Sequence, residues 1–151
     1  MLGNGFWTKI MLKKSQLIIN DLIDAFQDYS GAEHFFDKKD KEVICITGIL
    51  SDEESKLLKE INRQPARYIP IPQEDPKEAY NDMPLFVETL KDENLKEKLY
   101  IAIEGPGAFR RFKDVLLGYP DESKAWFSFK QARTKMRVCK WLEKQGHITF
   151  L

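Results

Sequence analysis

The strongest chemical signal in this chain is cationic. Lys130, Arg133, Arg137 and Lys140, with Lys144 beyond them, recur at helical spacing. At about 100° per residue they fall within an arc of roughly 80°. Ala125, Phe129, Ala132, Met136 and Cys139 form one apolar stripe beside that arc, and Phe127, Val138, Trp141 and Leu142 form another. The pattern predicts a helix packed on two sides that shows water a continuous basic ridge, with Trp126 in line at its start as a stacking surface. Such a ridge suits an anionic partner but carries no sequence specificity. The competing reading is a solvated face that answers the acids of the rest of the chain.

A second candidate is Gly105-Pro106-Gly107 followed by Ala108-Phe109-Arg110-Arg111, with Lys113 close behind. Glycines permit close backbone approach, and a helix start presents unpaired N–H groups to an anion. Arg110 and Arg111 add charge and bidentate geometry. The spacing matches neither the Walker loop nor the dinucleotide fingerprint, and a tight helix-to-helix turn explains both glycines equally well.

Other chemistry has little support. His34 and His147 are the only histidines, and neither lies in a ligand-type or triad-type motif. His34, beside Glu33, is expected at the surface. Ser15 and Ser51 read as helix caps rather than nucleophiles. Glu74, Asp75, Glu78 and Asp82 place two carboxylates at i, i+4. Such a pair suits metal or acid–base chemistry, but a first-turn dipole and solubility role explains it more simply. Cys45 and Cys139 are too few for a disulfide framework or a zinc site and are expected as buried free thiols. No catalytic residue, metal or cofactor is expected.

These residues must be positioned by elements that the pattern also predicts. Leu17–Tyr29 reads as a helix capped by Ser15, with Ile18, Leu22, Ala25 and Phe26 on its apolar face. Glu33–Phe36 and Glu42–Thr47 read as a β-hairpin. Ser51 to Glu54 is a capping box opening a helix that buries Leu57, Leu58 and Ile61 and ends near Pro65. Tyr68-Ile69-Pro70-Ile71-Pro72 twice lacks a backbone donor, so it is an edge strand or a polyproline-like segment. Asp75-Pro76 starts a helix that Pro84 should kink or split. Asp92 caps the next helix, which Gly105 ends. Ala108–Leu117 follows, with Phe109, Phe112, Val115 and Leu116 inward. Asp121–Gln145 is the longest helix, and His147–Leu151 reads as a short final strand.

The chain has 151 residues, with 24 Lys+Arg against 24 Asp+Glu. Residues 1–105 hold 14 basic and 20 acidic side chains, and residues 106–151 hold 10 and 4. Neutrality is therefore a cancellation between an acidic body and a basic tail. At 42% hydrophobic and 32% charged, the composition excludes disordered and collagenous chains. No stretch reaches the ~20 apolar residues of a membrane span, and the start lacks a secretory h-region and cleavage site. The expectation is a cytoplasmic α+β protein. It has a small antiparallel sheet or hairpin in the N-terminal half, a helix-rich C-terminal half and one long final helix. Residues 1–14 are expected as a disordered extension, with Met11 as an alternative start, and residues 15–151 are expected as a single domain.

Several runs then resemble a known family. They are Tyr68-Ile69-Pro70-Ile71-Pro72, Glu78-Ala79-Tyr80, Asp82-Met83 and Phe86-Val87-Glu88-Thr89, followed by Ala102-Ile103-Glu104-Gly105 and Gly107 to Leu116. Tyr119-Pro120, Trp126-Phe127, Phe129-Lys130 and Trp141-Leu142 complete the series. In that order they resemble a bacterial uncharacterised protein family, number zero-one-five-eight of its series, from about Leu17 to Ile148. The resemblance implies a single-domain, cytoplasmic-type protein with no assigned activity, and it supplies no catalytic residue.

The leading functional expectation is a non-enzymatic binding or adaptor module. Arg110, Arg111, Lys113, Lys130, Arg133, Arg137 and Lys140 are its anion-binding candidates, and Trp126 is its stacking candidate. The partner would be nucleic-acid backbone, a phosphorylated ligand or an acidic protein, with no membrane. One alternative is a small enzyme on a phosphorylated metabolite, with Arg110 and Arg111 clamping phosphate and Glu104 as base. Another is an oligomeric structural protein docking through the Pro70/Pro72 edge.

Overall fold

The computed structural model describes residues 18–49 and 51–146. Ser15 and the final strand expected at His147–Leu151 lie outside the described residues. The chain forms two compact units: Met1–Gln73 with Lys135–Leu151, and Glu74–Thr134.

The first unit is built on alternation. Helix α1 covers 18–26, strand β1 Glu33–Asp37, strand β2 Glu42–Ile46, helix α2 Asp52–Arg63 and strand β3 Tyr68–Pro70. The sheet order is β2-β1-β3 and both pairings are antiparallel. The expected hairpin and edge strand are both present. The edge position accommodates Pro70, which has no N–H for a ladder, and the ladder is extended when Ile71 N–H donates to the His34 carbonyl. Because side chains alternate across a strand, Phe35, Ile44 and Ile46 face Tyr68 and Ile61. Phe36 and Val43 face the opposite way, onto Leu22 and Phe26 of α1 and onto Val138 and Leu142. The sheet carries helix on both faces, and its wholly antiparallel pairing makes this an α+β fold.

Four expectations in this unit are corrected. The first helix ends at residue 26 rather than at Tyr29, because the Asp28 carboxylate turns to accept the Ser30 N–H. His34 is not a surface residue. Its side chain is 14% exposed, and Nε2 lies 2.7 Å from Asp28 Oδ2. The thiols are free, but Cys45 is exposed and Cys139 half-buried. The capping box is half-formed: Ser51 Oγ accepts the Glu54 N–H, while the Glu54 carboxylate accepts from the Thr47 amide and hydroxyl.

The second unit is helical: α3 Pro76–Glu88, α4 Glu93–Ala102, α5 Ala108–Leu116 and the first part of α6, which runs Pro120–Lys144. The predicted caps hold, with Asp75 accepting the Lys77 N–H and Asp92 the Leu95 N–H. Pro84 does not split α3, which continues to Glu88. Met83, Phe86, Leu95, Leu99, Phe112, Leu116 and Trp126 form the core.

The exposed face of α6 differs from expectation. Ala125, Ala132 and Met136, expected inward, are exposed, as is Phe127. Trp126, Thr134 and Val138 are buried, and Lys130, Arg133 and Arg137 are half-buried. Two buried acids of the second unit, Glu74 and Asp82, explain the reversal there. They give the cations of the helix polar company inside, so charge does not mark the outer face.

Candidate functional site

Helix α5 begins where α4 and its turn are closed by a single side chain. Gly105 and Gly107 adopt φ values of +74° and +80°, which glycine reaches without a Cβ penalty. Arg111 then reaches back over the turn. Its Nε donates to the Ala102 carbonyl at 2.9 Å, Nη1 to Pro106, and Nη2 to Glu104 and to Gly105, the last at 3.3 Å. A guanidinium set among helix-terminal carbonyls satisfies acceptors that α4 leaves open and complements its dipole. Arg111 is therefore committed to the backbone rather than to a phosphate, and Glu104 bonds it through its carbonyl, not its carboxylate.

Past the turn, α5 buries Ala108, Phe112 and Leu116. At about 100° per residue the exposed side runs from Phe109 through Lys113, Leu117 and Arg110 to Asp114, all of them exposed. Phe109 was expected inward and is 38% exposed. It meets Tyr80 edge-on with centroids 6.5 Å apart, and Tyr80 is pinned by its hydroxyl donating to the Ile103 carbonyl at 2.7 Å. Arg110 and Lys113 have no hydrogen-bond or ion-pair partner among the described residues. On the other flank of α5 lies an open, apolar depression lined by Lys98, Ile101, Ala102, Arg111, Asp114 and Val115.

Behind this arc sits a buried polar network. Arg133 Nε donates to Asp82 Oδ1 at 2.9 Å, and the Thr134 hydroxyl donates to Glu74 Oε1 at 2.7 Å. Asp82, Glu74 and Thr134 are all buried. Burial pushes the Lys130 ammonium below its ordinary pKa, and Lys113 adds to this; Glu74 and Asp82 oppose it. Lys113 and Lys130 thus share one electrostatic neighbourhood. Arg137 and Lys140 belong to the first unit; Arg137 is half-buried and Lys140 exposed.

Trp126 is 6% exposed. Its ring meets Phe112 at 4.8 Å, Phe86 at 5.3 Å and Phe129 at 6.3 Å, so its faces serve the core rather than an incoming base. No group of three or more His, Cys, Asp or Glu suited to a metal occurs among the described residues. Among them, too, no helix is long and apolar enough to cross a membrane. Sequence reasoning did not place Glu74, Asp82 and Thr134 in the interior. For Asp82 a signal existed: it lies three residues after Ala79 and four before Phe86, on the buried face of α3.

Comparison with known proteins agrees with the resemblance carried by the sequence runs. Two relatives, each named UPF0158 protein, come from Chlamydia muridarum (strain MoPn / Nigg) and Chlamydia trachomatis serovar D. Each is 27% identical over 124 residues, covering 80% of this chain. The chain spans 37% and 38% of the length of these relatives. No solved structure matches the chain. The family described as "Uncharacterised protein family (UPF0158)" matches residues 13–151, and the chain belongs to that family.

Proposed function

We propose that the chain is a non-enzymatic binding module that meets an anionic partner through the cations of α5, with Lys130 behind them. The supporting observation is that Arg110 and Lys113 stand exposed on one arc of a short helix without a carboxylate partner among the described residues. Lys130 lies near enough to Lys113 for the two charges to repel. Like charges held together raise the local potential for an anion. Arg111 and Arg133 contribute less, because one closes the α4–α5 turn and the other is held by Asp82.

Fluorescence anisotropy tests this with three labelled probes: a single-stranded oligonucleotide, a phosphorylated peptide and polyglutamate. At least one is expected to bind, with affinity falling several-fold between roughly 50 and 200 mM salt. The double variant Arg110→Glu, Lys113→Glu is expected to abolish that binding. Absence of binding by all three probes at both salt levels would sink the proposal.

A further inference from the structure

We infer that the anionic partner is an acidic, amphipathic protein segment that lies along α5, a refinement that rests on the anion-binding reading above. Phe109, Lys113 and Leu117 follow one another at i, i+4 and i+8, so they form a single row on the helix surface. Arg110 stands beside that row. Leu117 is 78% exposed, which sets a bare apolar side chain among the cations. A phosphate or a nucleic-acid backbone would leave Leu117 in water. A segment with its own apolar stripe covers it, and acidic residues beside the stripe reach Lys113 and Arg110.

Charge also favours a short acidic segment over a long polyanion. Residues 74–134 carry 10 Lys+Arg against 12 Asp+Glu, so this unit has no broad positive field. A protein contacting about 6–10 phosphates needs many cations, whereas this side of α5 offers two exposed cations, with exposed Asp114 one turn from Arg110 and Lys130 half-buried behind them. At the start of the row the Tyr80–Phe109 pair is a prepared anchor, since the Tyr80 hydroxyl is already held by the Ile103 carbonyl. Rigid aromatic anchors lower the ordering entropy of association. A regular row of apolar and basic side chains suits a helical partner read at the same spacing.

The test uses the full chain and three labelled probes. The first is a helical peptide of Glu, Leu and Ala with leucine at every third or fourth position. The others are polyglutamate of equal length and oligothymidylate. The amphipathic peptide is expected to bind about tenfold more tightly than polyglutamate. Leu117→Ser, at an exposed position, should remove that advantage while leaving the salt dependence intact. Lys113→Glu should weaken both peptides and flatten the salt dependence; unchanged salt dependence in that variant overturns the inference. Equal binding of polyglutamate or oligothymidylate, or an unaltered affinity in Leu117→Ser, overturns the peptide assignment and leaves the anion-binding reading standing. If none of the three binds, the peptide assignment falls, and the anion-binding reading falls with it when the phosphorylated peptide also fails to bind. Circular dichroism of each variant, matching the parent chain, keeps a loss of fold from being read as a loss of contact.

Discussion

Among the described residues, each unit holds a buried carboxylate that meets an arginine, and the two pairs are built differently. Asp37 is gripped side-on by Arg67, with Nε to Oδ1 and Nη2 to Oδ2 both at 2.9 Å. It also accepts the backbone N–H groups of Lys39 and Asp40, so it holds the hairpin turn as well as the arginine. Asp82 receives Arg133 through Nε at 2.9 Å. That pair spans 51 positions of sequence, against 30 for the first. It shares its surroundings with a half-buried lysine. The first pair is a local device that finishes a turn. The second joins helices distant in sequence, and its charges answer to neighbours.

The largest expected effect tests that distinction. Asp37→Ala removes a bidentate partner and leaves two turn N–H groups without their acceptor, at a loss of about 3 kcal/mol. Asp82→Ala is expected to lose about 2 kcal/mol, because Arg133 keeps a third of its side chain in water and can resolvate. Urea unfolding midpoints at constant slope measure both. A greater loss in Asp82→Ala would reverse the ranking. Arg67 holds the Asp37 carboxyl below its ordinary value of 3.8. A lowered carboxyl pKa gives stability that is present above the unfolded value and lost as pH falls through the folded one. The Asp37→Ala deficit should therefore shrink below about pH 4.

Arg111 supplies a contrast of intermediate size, since its acceptors are carbonyls that do not titrate. Gly107→Ala puts a Cβ at 3.1 Å from Arg111 Nη1 on a residue at φ +80°. The expected loss is about 1–2 kcal/mol. Stability curves taken near pH 7 and below pH 4 should show the same deficit, unlike that of Asp37→Ala. The smallest effect concerns Lys130. Its lowered pKa means that the unfolded chain binds the proton more readily, so this group's contribution rises as pH climbs through the folded value toward 10.5. Lys130→Met should gain less than about 1 kcal/mol at pH 7 and lose that alkaline increment. An unchanged slope between pH 7 and 10 would detach Lys130 from the buried network.

What could be read from the sequence was mostly what local chemistry decides. Asp75 before Pro76, Asp92 and Ser51 cap their helices with short-range bonds. The β-branched side chains of Val43, Ile44 and Ile46 favour a strand whatever packs on it. The missing donor of Pro70 limited this segment to an edge strand or a polyproline-like run, and the structure places β3 at the edge. The α6 faces were not legible, because Lys130 and Arg133 turn inward only when Glu74 and Asp82, 50 or so residues earlier, are buried with them. Charge predicts exposure when its partner is water, and here part of the partnership is internal. The candidate site divides likewise: Arg110 and Lys113 stand exposed as the cationic signal suggested, while Arg111 was drawn off by carbonyls that no residue pattern announces.

The hydrogen bond from Thr134 to Glu74 joins the first and last residues of the second unit. The 61 residues between its ends make a closed excursion, leaving the rest of the chain and returning to the same spot. Helix α6 crosses the boundary at Thr134/Lys135, so the chain re-enters the first unit without a turn. Residues 74–134 thus have the topology of a closed excursion, and a partner that binds α5, as proposed above, would meet the excursion rather than the strands.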